Sequence, residues 1–126
     1  MDSVASICPR YHYAVELIGA RWCGAILRAV MDGCRRYAEI KAAIPGVSDT
    51  MLSQRLRWLQ AEGVLERSVV DSSPVRVEYR LTPKGAALAP VVEALKAWAH
   101  AWVPEDIEDT ECRSSSSSSP ARAQVG

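Results

Sequence analysis

Apolar residues recur along this chain with two different periods, and the change between them marks its elements. Tyr13, Ala14, Leu17 and Ile18 fall three and four apart. That spacing predicts a short amphipathic helix over 13–18, ended by Gly19. Residues 22–31 are apolar at 22, 23, 25, 26, 27, 29, 30 and 31. A helix apolar nearly all round is a buried one, and Asp32-Gly33 stops it. Residues 35–37 are too short to stand alone and suggest a small edge strand. Tyr37, Ile40 and Ile44 share one face of a third helix over 37–44, which Pro45-Gly46 breaks.

Leu52, Leu56 and Leu59 form a core-facing stripe on a fourth helix, 48–61. Ser48 is a suitable N-cap, Asp49 suits the positive end of the helix dipole, and Gly63 is the expected left-handed stop. The period then shortens to two. Val75, Val77, Tyr79 and Leu81 alternate with Arg76, Glu78 and Arg80, which describes a half-buried strand. With the partly β-branched run 64–70 and the turn cluster Asp71-Ser72-Ser73-Pro74, it makes a two-stranded ribbon. Thr82-Pro83 opens a long last helix reaching about residue 102. Pro90 should kink it, for lack of an N–H. Leu88, Val92, Leu95, Ala99 and Trp102 are spaced by four, three, four and three residues along it. One small domain cannot easily cover such a seam, so it is expected to pair two copies of the chain.

At 126 residues the chain fits one domain. Residues 1–8 are expected to be a flexible terminus, 9–103 the folded domain, and 104–126 a disordered tail that is acidic and then serine-rich. The fold class is mainly α with a small β-wing. The uncharged apolar runs are short, six residues at 22–27 and eight at 85–92, whereas a membrane-spanning helix needs about 20. The first six residues carry an acid and no base, which argues against a secretory signal. A cytoplasmic, nucleoid-associated protein with no membrane contact is the expectation. Net charge is zero, yet residues 9–103 hold 13 basic and 9 acidic residues, a surplus of +4. A basic body with an acidic tail can dock on phosphate. The four cysteines show no C-x-x-C spacing and the two histidines lie far apart. No metal or cofactor is expected, and no nucleophile, base or phosphate loop marks an enzyme.

Two helices around a short turn, followed by a hairpin, form a winged helix-turn-helix. Such an assembly lays its second helix in a DNA major groove and its hairpin, here 65–82, against the backbone or minor groove. The leucine stripe leaves Asp49, Thr50, Ser53, Gln54 and Arg57 on the outer face, with Ser48 and Arg55 beside them. Thr, Ser and Gln can bond to base edges, and Arg can read guanine or hold phosphate. Asp49 would repel phosphate; it either accepts from a cytosine amine or caps the helix. Arg36 and Arg76 are the candidate phosphate anchors, Arg76 at the hairpin tip. Arg35 and Lys84 fit ordinary surface charges better than anchors.

Several short blocks carry a family resemblance. Cys8-Pro9, Leu17-Ile18-Gly19-Ala20-Arg21-Trp22, Arg36-Tyr37-Ala38-Glu39-Ile40, Ile44-Pro45-Gly46-Val47-Ser48 and Leu52-Ser53-Gln54-Arg55-Leu56-Arg57 agree in order and spacing. So do Glu62-Gly63-Val64-Leu65-Glu66-Arg67 and Val77-Glu78-Tyr79-Arg80-Leu81-Thr82. Over about 8–103 the chain resembles the HxlR-type winged-helix regulators, relatives of the MarR group. The resemblance implies a dimeric transcription regulator, a repressor or an activator, that binds double-stranded operator DNA and responds to electrophiles, oxidants or small molecules. It also implies an effector cavity between the first helices and the last, to which Trp98 and Trp102 are candidates; packing is the other role for these tryptophans.

Cys8 is the candidate sensing thiol. It precedes Pro9 at the head of the first helix, where amide dipoles and Arg10 favour a thiolate, and the resemblance places a sensing cysteine at this position in some members. Cys23 lies in the most apolar helix and should be inert, Cys34 gains nothing from a dipole, and Cys112 is a possible resolving partner. The competing reading of the whole chain is a winged-helix protein-interaction module that has lost specific DNA binding.

Overall fold

The computed structural model describes residues 6–107. The element order is α1 (Pro9–Gly19), α2 (Cys23–Met31), α3 (Tyr37–Ala43), α4 (Asp49–Ala61), β1 (Leu65–Val70), β2 (Arg76–Leu81), α5 (Pro83–Ala86) and α6 (Ala89–Trp102). The expected disordered tail falls almost wholly outside the described residues.

The first helix starts four residues earlier than its apolar spacing suggests. Pro9 sits in its first turn, where the missing N–H costs nothing, and only Leu17 is buried along it. Trp22 then holds a left-handed backbone, φ 74°, which is uncommon for a bulky residue and marks a sharp junction with α2. α2 is the central helix. Cys23, Ile26, Leu27 and Val30 are all but inaccessible to solvent, as their all-round apolar pattern requires.

α4 docks on α2 through Leu52, Leu56 and Leu59, each fully buried. Its start is capped as expected, the Ser48 hydroxyl accepting from the Met51 amide at 3.1 Å. Its end reverses through Gly63 at φ 79°, a conformation that a side chain would strain. The chain leaves this turn directly into β1. β1 and β2 pair antiparallel from Leu65↔Leu81 to Val70↔Arg76. Val77, Tyr79 and Leu81 face the helices, and Arg76, Glu78 and Arg80 occupy the other face.

Two expectations need correction. Residues 35–37 form no strand; the Arg35 carbonyl accepts one bond from the Tyr79 amide at 2.7 Å, so the segment only lies alongside β2. The last helix is also not one kinked rod. α5 ends at Ala86, and a two-residue break precedes α6. Pro90 has no N–H to bond back to residue 86, so the helix is interrupted and restarts with Pro90 in the first turn. The break changes the proposed seam. Leu88 packs against the domain's own core and Val92 is buried, whereas Leu95, Trp98 and Trp102 stay 53%, 60% and 70% exposed. Ala99 is half-buried.

Candidate nucleic-acid interface

α3, the turn 44–48 and α4 form the helix-turn-helix, and the hairpin lies beside it. The face of α4 opposite the leucines carries Thr50, Gln54 and Arg57, all exposed. Ser53 is half-buried at its edge, and Ser48 is spent on the cap.

Asp49 has a role of its own. The Tyr37 hydroxyl donates to its carboxylate at 2.8 Å, and the Lys41 ammonium lies 3.7 Å from the same oxygen. The acid therefore ties the start of α4 to α3 and brings a cation with it, which offsets its repulsion of phosphate. Tyr37 also lies 3.5 Å from the Ser53 hydroxyl. The sequence spacing put Tyr37 on a packing face with Ile40 and Ile44 and did not single out Lys41, because their tie to Asp49 spans the turn rather than one helix face.

Arg55 departs from expectation. Its Nε donates to the Arg21 carbonyl at 2.9 Å, and it shares a hollow with Glu16, Ala20 and Trp58. It points toward the α1–α2 junction and not along the Thr50–Gln54–Arg57 face, because position 55 lies next to the buried 52–56–59 stripe. Arg35 also turns inward, donating to the Val30 and Cys34 carbonyls at 3.0 and 3.1 Å. Lys84 donates to the Glu62 carbonyl at 2.7 Å.

Arg36 and Arg76 do come together. They line one cleft of about 500 Å³ between the start of α3 and the hairpin tip, with Tyr37 and residues 72–75. Arg76 Nε is 3.4 Å from Glu78, and Arg80 pairs with the same carboxylate at 3.0 Å. The hairpin's outer face thus sets Arg76 and Arg80 around the mostly buried Glu78, with Glu66 opposite Arg80, so its charges balance and its cations are local anchors. Arg80 was missed as a site residue, although its alternation with Glu78 and Arg76 put all three on that face.

At the start of α3, Glu39 accepts from the Arg35 and Arg36 amides at 2.8 and 3.1 Å. Those two backbone bonds, Arg35's first, hold its carboxyl below the usual range. Cys8 occupies the N-cap position of α1 in the open, and the neighbouring backbone amides of Tyr11 and then Arg10 push its thiol below the ordinary value. Burial pushes the Cys23 thiol the other way. Cys34 is half-buried, and Cys112 lies outside the described residues.

A further cleft of about 470 Å³ lies between the α1–α2 region and α6, lined by Ile18, Gly24, Arg28, Val92, Leu95, Lys96 and His100. It occupies the place where an effector cavity was expected, but Trp98 and Trp102 are not on its walls. No helix among the described residues is long and apolar enough to cross a membrane.

An exposed polar helix braced by a second helix and flanked by an arginine-bearing hairpin defines a winged helix-turn-helix DNA-binding protein. The chain belongs to the HxlR-like helix-turn-helix family of transcriptional regulators, which it matches over residues 17–107. It is 41% identical to the HTH-type transcriptional regulator YvaP of Bacillus subtilis over 105 residues, 83% of this chain and 97% of that one. Among solved structures, the reduced form of the transcriptional regulator YodB from B. subtilis superposes with a TM-score of 0.70 at 40% identity, covering 82% of this chain and 100% of YodB. The redox regulator HypR in its oxidised form gives a TM-score of 0.71 at 33% identity, covering 79% and 100%. YodB has also been solved with quinone bound (TM-score 0.64, 40% identity, 75% of this chain and 99% of that one).

Proposed function

We propose that this chain acts as a homodimer on an inverted-repeat operator, reading bases through α4 and holding phosphates through Arg36 and the hairpin. The observation that carries this is the outward row Thr50–Gln54–Arg57, exposed on α4 and opposite its buried leucines. Gln pairs one donor with one acceptor to match adenine, and Arg presents two donors to the two acceptors of guanine in the major groove. The exposed apolar strip of α6, centred on Leu95, Trp98 and Trp102, would pair the two copies and set the half-site spacing.

Cys8 serves as the sensing thiol in this account. It is exposed, it stands at the N-terminus of a helix, and its thiolate is favoured. The quinone-bound YodB and the redox regulator HypR support electrophiles or oxidants as the signal. The effector cleft beside α6 offers a non-covalent route to the same regulation. Wild type and Cys8→Ser are treated with p-benzoquinone and titrated onto operator DNA. Wild type should lose affinity and Cys8→Ser should keep it. Equal behaviour of the two would remove Cys8 as the switch.

A further inference from the structure

α1 carries Cys8 at its head, yet only its C-terminal end is held by the core: Leu17 is its one buried residue and Ile18 packs beside it, while Tyr11 and Val15 are 64% and 41% exposed. Its attachments to α4 are specific. At its far end, Arg55 of α4 grips the Arg21 carbonyl at 2.9 Å, beside Trp22 in its left-handed conformation. Toward the other end, the Tyr13 hydroxyl donates to the carboxylate of Glu62, the residue that caps the C-terminus of α4. Lys84 completes the contact. Its ammonium donates to the Glu62 carbonyl at 2.7 Å and stands 5.8 Å from the centre of the Tyr13 ring. Glu62 is therefore held through its side chain by α1 and through its backbone by α5.

We infer that Tyr13, Glu62 and Lys84 form a latch that makes the recognition helix α4 follow the position of α1. The contact at Arg21 acts as the pivot. Tyr13 lies two turns before that point, so a displacement of the free end of α1 is felt at Glu62 first. Cys8 is five residues before Tyr13, about 7–8 Å along the same helix axis, so a group added to its sulfur bears directly on this arm. Tyr13 touches no DNA in this arrangement; it is a positioning residue that acts through Glu62. Lys84, which in sequence fitted a surface charge, belongs to the latch.

This inference rests on Cys8 as the sensing thiol, and the test separates the two. The full chain is treated with p-benzoquinone. The Cys8 thiolate adds to a ring carbon, a C–S bond forms, and the displaced electron pair moves to a quinone oxygen; one proton from solvent and the proton lost by the substituted ring carbon give the two hydroxyls, leaving a hydroquinone thioether with no further oxidant or reductant. Operator affinity is measured before and after addition for wild type, Tyr13→Phe and Lys84→Met, and the ratio within each protein is the readout. Mass spectrometry confirms equal adduct formation. Wild type should weaken about tenfold or more, within the usual range of coupling between two sites. Both variants should weaken less than about threefold, because α1 then moves without carrying α4. A merely structural contact would change the starting affinity and leave this ratio alone. If the variants weaken as much as wild type, the latch is wrong while the sensing role of Cys8 stands. If wild type itself does not respond, the sensing role fails, and the latch has no signal to transmit and fails with it.

Discussion

The Tyr37 hydroxyl donates to the Asp49 carboxylate at 2.8 Å, joining the first residue of α3 to the first residue of α4. The bond fixes the angle between the two helices on the side that faces away from the core. Tyr37→Phe removes it and leaves the ring in place. A bond to a charged acceptor contributes about 1.5–3 kcal/mol when sheltered, and solvent at Asp49 reduces that to about 0.5–1 kcal/mol. Urea unfolding should show a loss of this size, together with weaker operator binding. An unchanged midpoint would mean that the two helices are held without this bond.

The sharpest steric limit lies at Gly85. A Cβ there would stand 2.2 Å from the Val64 carbonyl oxygen, which is backbone and cannot swing aside. Gly85→Ala must push α5 off the start of β1, where Thr82 also bonds to the Gly63 and Val64 carbonyls. The expected cost is about 1–3 kcal/mol, read as a lower thermal midpoint. Stability equal to wild type would show that α5 does not pack as described.

Much of this architecture is legible in the sequence because each signal is local. The Ser48 cap, the 52–56–59 stripe and the alternation 75–81 depend on neighbours within a few residues, and each predicts the element that forms. Pro90 was readable as a disturbance. Whether it kinks a helix or begins one depends on where Gly85 packs, and that is tertiary. The site divides in the same way. The outward face of α4 follows from one helix period. The inward turn of Arg55, the Asp49–Tyr37–Lys41 group and the Tyr13–Glu62 latch join residues far apart in the chain, and no spacing encodes them.

Two groups give the stability opposite pH dependences. Glu39 is held below its ordinary value by the Arg35 and Arg36 amides. Its contribution is present above the unfolded carboxyl value and is lost as pH falls through the depressed folded one. Tyr13 is raised, chiefly by its bond to Glu62. Its contribution is present below the ordinary tyrosine value and is lost as pH rises through the elevated folded one. Denaturant unfolding against pH should show the gap between wild type and Glu39→Ala narrowing toward acid. The gap between wild type and Tyr13→Phe should narrow toward alkali. Gaps that stay constant with pH would contradict both assignments.

Dimerisation is expected through the exposed strip of α6. Trp98 is 60% exposed on that helix, so Trp98→Glu should not disturb the monomer's core. Sedimentation at micromolar concentration should show a dimer for wild type and a monomer for the variant, with little change in helix content. A monomeric wild type, or a variant that still dimerises fully, would move the interface elsewhere.

The central claim is that α4 reads base sequence, and binding-site selection from random DNA followed by salt-dependent titration tests it most directly. The selected site should be an inverted repeat with half-site centres about 10–10.5 bp apart or a multiple of that. On this site Gln54→Ala should cost about 1–3 kcal/mol and leave random DNA almost unaffected. Arg76→Ala should weaken both and lower the salt slope by about one phosphate contact. Selection of no common sequence, with Gln54→Ala losing equally on all DNA, would contradict base reading by α4 and favour a winged helix that serves protein contacts instead.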